Sequence, residues 1–245
     1  MEGVVKKVAL NFLNEKCYEE FFYNLNFFNL LCLKAFVSKC LGYVIIAGSC
    51  FVKLPQIVKI WNNKSAQGIS IINVFTDLFA ITVNSSYAYV RSFPISAYGE
   101  GISIGLQTVT IAAQVLHHNY SSSLAAAFVA VYGVVCYVMT NFVPVNILWN
   151  FQAITIPVLL FGKLAQAYSN YTIKGTGQLS AATCVMLLFG STSRIFTSLQ
   201  ETGDLIIIIT YLLATLGNGI IVFQFMYYKK PASKQQKKKE GKKQR

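Results

Sequence analysis

The segment Lys53-Leu54-Pro55-Gln56 lies inside an apolar run at 41–61. After an interval of 110 residues, Lys163-Leu164-Ala165-Gln166 lies inside a second apolar run at 147–168. The same interval holds without a gap through Lys64/Lys174, Ser70/Ser180, Leu78/Leu188, Thr82/Thr192, Leu106/Leu216, Ile111/Ile221 and Gln114/Gln224. Leucine matches alone follow from composition. Lys, Gln and Ser are scarce inside apolar runs, so their alignment marks an internal duplication, and parallel internal repeats are one of the ways in which transporter folds are built.

Only 12% of the residues are charged and 54% are hydrophobic, against roughly 25% charged in a soluble domain. Runs of about 20 apolar residues, the length that crosses a bilayer core, occur at 41–61, 69–90, 98–116, 122–140, 147–168, 179–199 and 205–228. Backbone polar groups at that depth must be satisfied within the segment, which predicts helices. The short alternating segments of a β-barrel are missing. The expected fold is therefore an all-α membrane protein of seven transmembrane helices. Two parallel three-helix bundle repeats are joined by a linker helix (3+1+3), because two copies in the same orientation need an odd number of crossings between them. The expected organisation is an N-terminal segment at 1–40, a first triple-helix repeat at 41–116, a linker helix region at 117–146, a second repeat at 147–228 and a basic tail at 229–245.

The formal net charge of +12 resides mostly in that tail, where nine Lys/Arg face one Glu. The positive-inside rule puts the tail in the cytoplasm and, with seven crossings, Met1 in the lumen. Lys64 and Lys174 then fall on cytoplasmic loops, and Glu201 and Asp204 form an acidic lumenal turn. A juxtamembrane basic stretch meets anionic lipid or serves as an address, so no nucleic-acid partner is expected. The terminal Lys242-Lys243-Gln244-Arg245 has the form of a dilysine retrieval signal for the endoplasmic reticulum. The stretch at 21–33 lacks a small-residue cleavage site and is interrupted by Asn24, Asn26 and Asn29, which favours an interfacial amphipathic helix over a signal peptide.

Pro55 interrupts its span, since proline removes a backbone hydrogen bond and kinks or breaks a helix. Gln56 beside it needs partners in hydrocarbon, either as a bridge between helices or as part of a site. In the second repeat Ala165 replaces the proline, Pro157 lies two turns earlier, and Gln166 keeps the amide. The polar residues in or at the edge of the spans include Lys53, Lys163, Asp77, Asn84, Arg194 and Asn218, and intramembrane ionisable groups are functional candidates by default. Lys53 and Lys163 occupy equivalent positions, where they either snorkel to the surface or hold an anionic headgroup. Asp77 pairs with a basic residue such as Lys53 or Arg194. Arg194 is expected to pair with Glu201 or Asp204 across its own turn. His117 and His118 lack ligands at metal spacing, no phosphate-cradling glycine loop occurs, and no cofactor is expected. Among the cysteines, Cys17, Cys32 and Cys40 meet the oxidising side, where a Cys17–Cys32 disulfide is an option.

Lys53-Leu54-Pro55-Gln56 followed by Lys64-Ser65-Ala66-Gln67-Gly68-Ile69-Ser70 resembles the PQ-loop family. Several further segments resemble its mannose-P-dolichol utilization defect branch. They are Glu15-Lys16-Cys17-Tyr18, Ala47-Gly48-Ser49, Thr176-Gly177-Gln178-Leu179-Ser180, Arg194-Ile195-Phe196-Thr197-Ser198 and Gln200-Glu201-Thr202-Gly203-Asp204. That resemblance implies a non-enzymatic, multi-pass endoplasmic-reticulum protein needed for the use of dolichyl-phosphate mannose and dolichyl-phosphate glucose. Its expected partners are membrane lipids, these donor lipids and lumenal-facing glycosyltransferases. The other reading is a PQ-loop carrier of small solutes. A membrane glycosyltransferase would need an acidic pair in a sizeable loop, and only Glu201 and Asp204 in a short turn stand available.

The orientation generates a test. Asn63, Asn84, Asn119 and Asn170 all begin N-glycosylation sequons, and none is expected on the lumenal side. N-glycosidase digestion should leave the protein's mobility unchanged, while a sequon engineered into an extended Glu201–Asp204 turn should be modified. The reverse pattern would invert the topology.

Overall fold

In the computed structural model the described residues are 6–7, 9–66, 69–175 and 181–228. They form α1 (Glu15–Phe22), α2 (Leu30–Ser49), α3 (Leu54–Asn63), α4 (Ile71–Val90), α5 (Ile95–Asn119), α6 (Ser122–Asn141), α7 (Val145–Ile173), α8 (Ala181–Glu201) and α9 (Leu205–Tyr227). Among the described residues, four segments are both long and apolar enough to cross a membrane: Leu30–Asn63 taken together, Ser122–Asn141, Val145–Ile173 and Leu205–Tyr227. The other three expected spans coincide with α4, α5 and α8, helices of 20, 25 and 21 residues that carry more polar side chains. Large apolar residues are exposed along almost every helix, among them Phe161, Phe189, Leu216 and Phe223. A soluble monomer does not present such a surface. With these spans and this surface, the chain is a multi-pass membrane protein.

Two compact units are present, one made of Met1–Thr155 with Ser193–Ile209 and the other of Ile156–Thr192 with Thr210–Arg245. In the first unit the interior is built by Ile60, Val74, Leu78, Ile111, Ala112 and Val115 from α3, α4 and α5. α6 adds Phe128, set edge-on to Phe75, and Tyr132, whose hydroxyl lies 2.7 Å from that of Thr82. At the opposite end α2 and α5 touch through small residues. A Cβ on Gly42 would lie 2.7 Å from the carbonyl oxygen of Ser96. Close approach through Gly and Ser is how helices pack where lipid tails are as apolar as leucine.

The N-terminal expectations need correction. Instead of one interfacial helix at 21–33, α1 ends at Phe22, a loop turns through Leu25 at φ 50°, and α2 starts at Leu30. The boundary placed at residue 40 therefore cuts a helix. Asn29 caps α2 by accepting from the backbone N–H groups of Leu31 and Cys32, an N-cap contact of the kind that offsets unsatisfied donors. A Cys17–Cys32 disulfide joins α1 to α2, and Leu13 and Phe21 pack around it.

The expected span at 41–61 is also not one helix. It breaks between Ser49 and Leu54, and Pro55 sits in the first turn of α3, where its missing N–H costs nothing. In place of a kink, the proline starts a new helix. The break leaves backbone groups without their helical partners, and one side chain joins its two sides. Gln107 of α5 donates from Nε2 to the Ser49 carbonyl at 2.9 Å, and its Oε1 accepts from the Lys53 N–H at 2.9 Å. In the second unit α7 runs on through Pro157 without a break. The sequon residue Asn170, expected in a loop, is buried within α7. The tail at 229–245 with Lys242 and Lys243, and the stretch at 176–180, lie outside the described residues.

The amide of Gln107 yields an ordered expectation. Gln107→Leu orphans the Lys53 N–H, at about 1–3 kcal/mol, and leaves the Ser49 carbonyl only its 3.3 Å bond from the Val52 N–H; Gln107→Glu keeps only the bond from the Lys53 N–H. Melting temperatures in detergent should fall in the order wild type, Glu, Leu; a wild-type melt for Gln107→Leu would show that the break is held elsewhere.

Candidate functional site

The first unit carries two polar assemblies. One opens at the helix break. A cavity of about 240 Å³ is lined by Lys53, Gln56, Ser70, Asn73, Asp77 and Thr108, with apolar walls from Ile69, Val74 and Ile111. Lys53 ends α2's interruption and reaches across to α4, where its Nζ donates to Asp77 Oδ2 at 2.8 Å. Asp77 is more than half exposed, so the pair forms the rim of the cavity and is not sealed inside it. Gln56 is exposed on the cavity wall and bridges no neighbouring helix among the described residues. The arrangement offers an ammonium, amides and hydroxyls to a polar group entering between helices.

The second assembly lies where α2, α5 and α8 meet. Ser96 is its hub, because its hydroxyl accepts from Lys39 at 3.0 Å and donates to Glu201, while its carbonyl accepts from Arg194 Nη1 at 2.8 Å. Ser38 donates to the other oxygen of Glu201 at 2.7 Å, and Lys39 Nζ stands 3.7 Å from that carboxylate. Arg194 is 2% exposed and donates from Nε to Glu100 at 2.8 Å. The expected pairing of Arg194 with Glu201 or Asp204 is thus corrected to Glu100. A turn of the helix aims the guanidinium across at α5, and both turn acids are engaged elsewhere. Asp204 accepts from Tyr87 at 2.6 Å, faces Arg91 at 3.5 Å and caps α9 by accepting from the Ile206 and Ile207 N–H groups. Glu201 and Asp204 are therefore buried anchors and not a solvated acidic turn. Their sequence spacing alone carried no sign of this; the signal lay in Ser38 and Ser96, small polar residues in apolar helices.

In the second unit the polar groups are amides. Gln166 donates to Asn170 at 3.1 Å, Asn170 to Gln224 at 2.9 Å, and Gln224 to the Ala167 carbonyl at 2.8 Å. Asn218 donates to the Leu187 carbonyl and to Ser191. Lys163 is half-buried. Its stem lies against Gly217, where an added Cβ would come within 2.8 Å of the lysine Cβ. Asn84, half-buried in α4, joins neither assembly.

The duplication inferred from spacing has a geometric counterpart. Gln114 donates to the Ile57 carbonyl at 3.3 Å, and Gln224 to the Ala167 carbonyl; both residues of each bond are 110 positions apart from their counterparts. The same bond thus ties α5 to α3 and α9 to α7.

A helical membrane protein in which one interhelical bond recurs after 110 residues is the class these features define. Within it, residues 37–97, which span the helix break and Pro55-Gln56, match the PQ loop repeat. It is also similar to Solute carrier family 66 member 3 of Homo sapiens, with 24% identity over 186 residues that cover 75% of this chain and 90% of that protein. No solved structure matches the chain.

The Arg194–Glu100 pair supplies an energetic test. Glu100→Gln leaves a buried guanidinium without its carboxylate, a change that costs about 3–5 kcal/mol when a buried pair is broken. The Arg194→Met/Glu100→Met double variant should recover much of that loss in a double-mutant cycle. Additive losses would show that the two residues stabilise the protein independently.

Proposed function

We propose that this protein is an endoplasmic-reticulum membrane factor through which dolichyl-phosphate mannose and dolichyl-phosphate glucose reach lumenal glycosyltransferases. It presents or translocates the lipid-linked sugar and makes or breaks no bond in it. In this reading all seven expected spans cross the membrane as 3+1+3, with the N-terminus lumenal and the basic tail cytoplasmic. One observation carries the reading: a polar cavity with a lysine at its rim opens at a helix break in a bundle whose outer faces are apolar. The sugar of such a lipid suits that cavity's amides and hydroxyls, and a polyisoprenoid chain suits the apolar faces. The sequence resemblance to the dolichol-utilization branch supplies the substrate class. A second reading, a small-solute carrier, is favoured by the likeness to a solute carrier and by a cavity able to take a free polar solute.

Cells lacking the protein separate the two readings. Dolichyl-phosphate mannose should be present while lumenal transfer of mannose and glucose to lipid-linked oligosaccharide fails, and Pro55→Ala/Gln56→Leu expressed at matched levels should restore transfer poorly. Absence of the donor lipid would place the defect in its synthesis. Normal transfer in the null cells would favour the carrier reading.

A further inference from the structure

Lys53 and Lys163 are the same residue of a duplicated helix, yet their charges are answered differently. Asp77 meets Lys53 at 2.8 Å. The position 110 residues after Asp77 is Leu187, and the register is secured by the matched bonds of Gln114 with Ile57 and Gln224 with Ala167. Of the chain's nine acidic residues, all but Glu2 and Glu240 lie among the described residues, and none of those forms an ion pair with Lys163. Gln107 also has no counterpart: Gly217 stands in its place. With no side chain there, the α9 backbone lies directly on the lysine stem, and a Cβ at 217 would sit 2.8 Å from Lys163 Cβ and 3.0 Å from its Cγ. The stem is thereby held. On the same face of α7 the amides of Gln166 and Asn170 follow at three and seven residues, the spacing of one helical stripe.

An ammonium inside an apolar span is costly unless it is paired or hydrated. A neutral sugar or an apolar chain does not offset it; an anion does. We propose that Lys163, and not the already paired Lys53, is the anion-binding residue of the chain, taking a phosphate-class anion with the Gln166–Asn170 stripe beside it for hydroxyl groups. This rests on the functional reading above only for the biological source of the phosphate. The first repeat then keeps its lysine neutralised by its own carboxylate, and the second leaves that place to the ligand.

The test is binding by the purified full-length protein in phosphatidylcholine nanodiscs, titrated with farnesyl phosphate and separately with inorganic phosphate, with empty nanodiscs subtracted. Farnesyl phosphate should saturate one site. Lys163→Gln should weaken it by about tenfold or more, the scale of a lost charge-assisted contact, whereas Lys163→Arg should largely retain it. Leu187→Asp recreates the carboxylate of the first repeat and should weaken binding although the lysine remains. Asp77→Leu should add a second site at the released Lys53. Lys163→Gln removes a charge and Leu187→Asp adds one, so concordant losses with wild-type melting curves are not a folding effect. If one of the two fails to fold, the other decides the matter together with Asp77→Leu. Binding of both probes marks recognition of phosphate itself, and binding of farnesyl phosphate alone marks a lipid-borne phosphate; both support the site. Wild-type affinity in Lys163→Gln, no saturable binding of either probe, or a loss in Lys53→Gln with none in Lys163→Gln overturns it. Lys163-dependent binding together with normal glycosylation in null cells would leave the anion site standing and remove the dolichol reading.

Discussion

The two-ended hydrogen bond of Gln107 is the contact on which the first unit's site depends. A break in a membrane helix exposes backbone donors and acceptors that hydrocarbon cannot satisfy, at several kcal/mol for each group. One amide meets one group on each side of the break, because a glutamine side chain is both donor and acceptor. With the gap held open in this way, α3 starts anew with Pro55 in its first turn. Lys53 is then released from the run of the helix and reaches Asp77. The cavity, the rim ion pair and the exposed Gln56 all follow from that interruption.

The second repeat shows what happens without it. Gly217 stands where Gln107 would be, α7 is continuous, and the helix that follows packs onto the stem of Lys163. The two choices are mutually consistent. A glutamine at 217 would have no broken backbone to bond and would collide with the lysine, while a glycine at 107 would leave the Lys53 N–H unsatisfied. The pairing of side chain with backbone leaves the helix interrupted at Lys53 and continuous at Lys163.

The sequence carried the class well, because hydropathy and the 110-residue register are periodic signals. Length and apolarity mark bilayer helices, and the aligned Gln114 and Gln224 recur as the same bond in both repeats. The local course of the chain was less legible. Pro55 read as a kink in one helix because proline's penalty is visible in sequence, whereas the remedy, Gln107, lies 52 residues further on. The partner of Arg194 was missed for a similar reason. Nearness in sequence pointed to Glu201 and Asp204, but the rotation of α8 aims the guanidinium at Glu100 of another helix. Asn170 looked like a loop residue because it lies among polar neighbours, and only its bond to Gln224 shows why a helix keeps it inside.

Charge is distributed with the same economy. Arg194, Lys39 and Arg91 at one end of the first unit each face a carboxylate, and two of those carboxylates, Glu201 and Asp204, also take hydroxyl donors from Ser38, Ser96 and Tyr87. Groups so fully engaged are expensive to separate in a low dielectric, which suits them to holding helices together and makes them poor at receiving a ligand. Lys53 and Asp77 lie at the other extreme, at an exposed rim where water screens the pair and weakens it. A site that must take up and then release a polar sugar needs contacts of this weaker kind. The position of the pair at the cavity's edge, and not among the buried anchors, is what fits that part of the molecule for exchange.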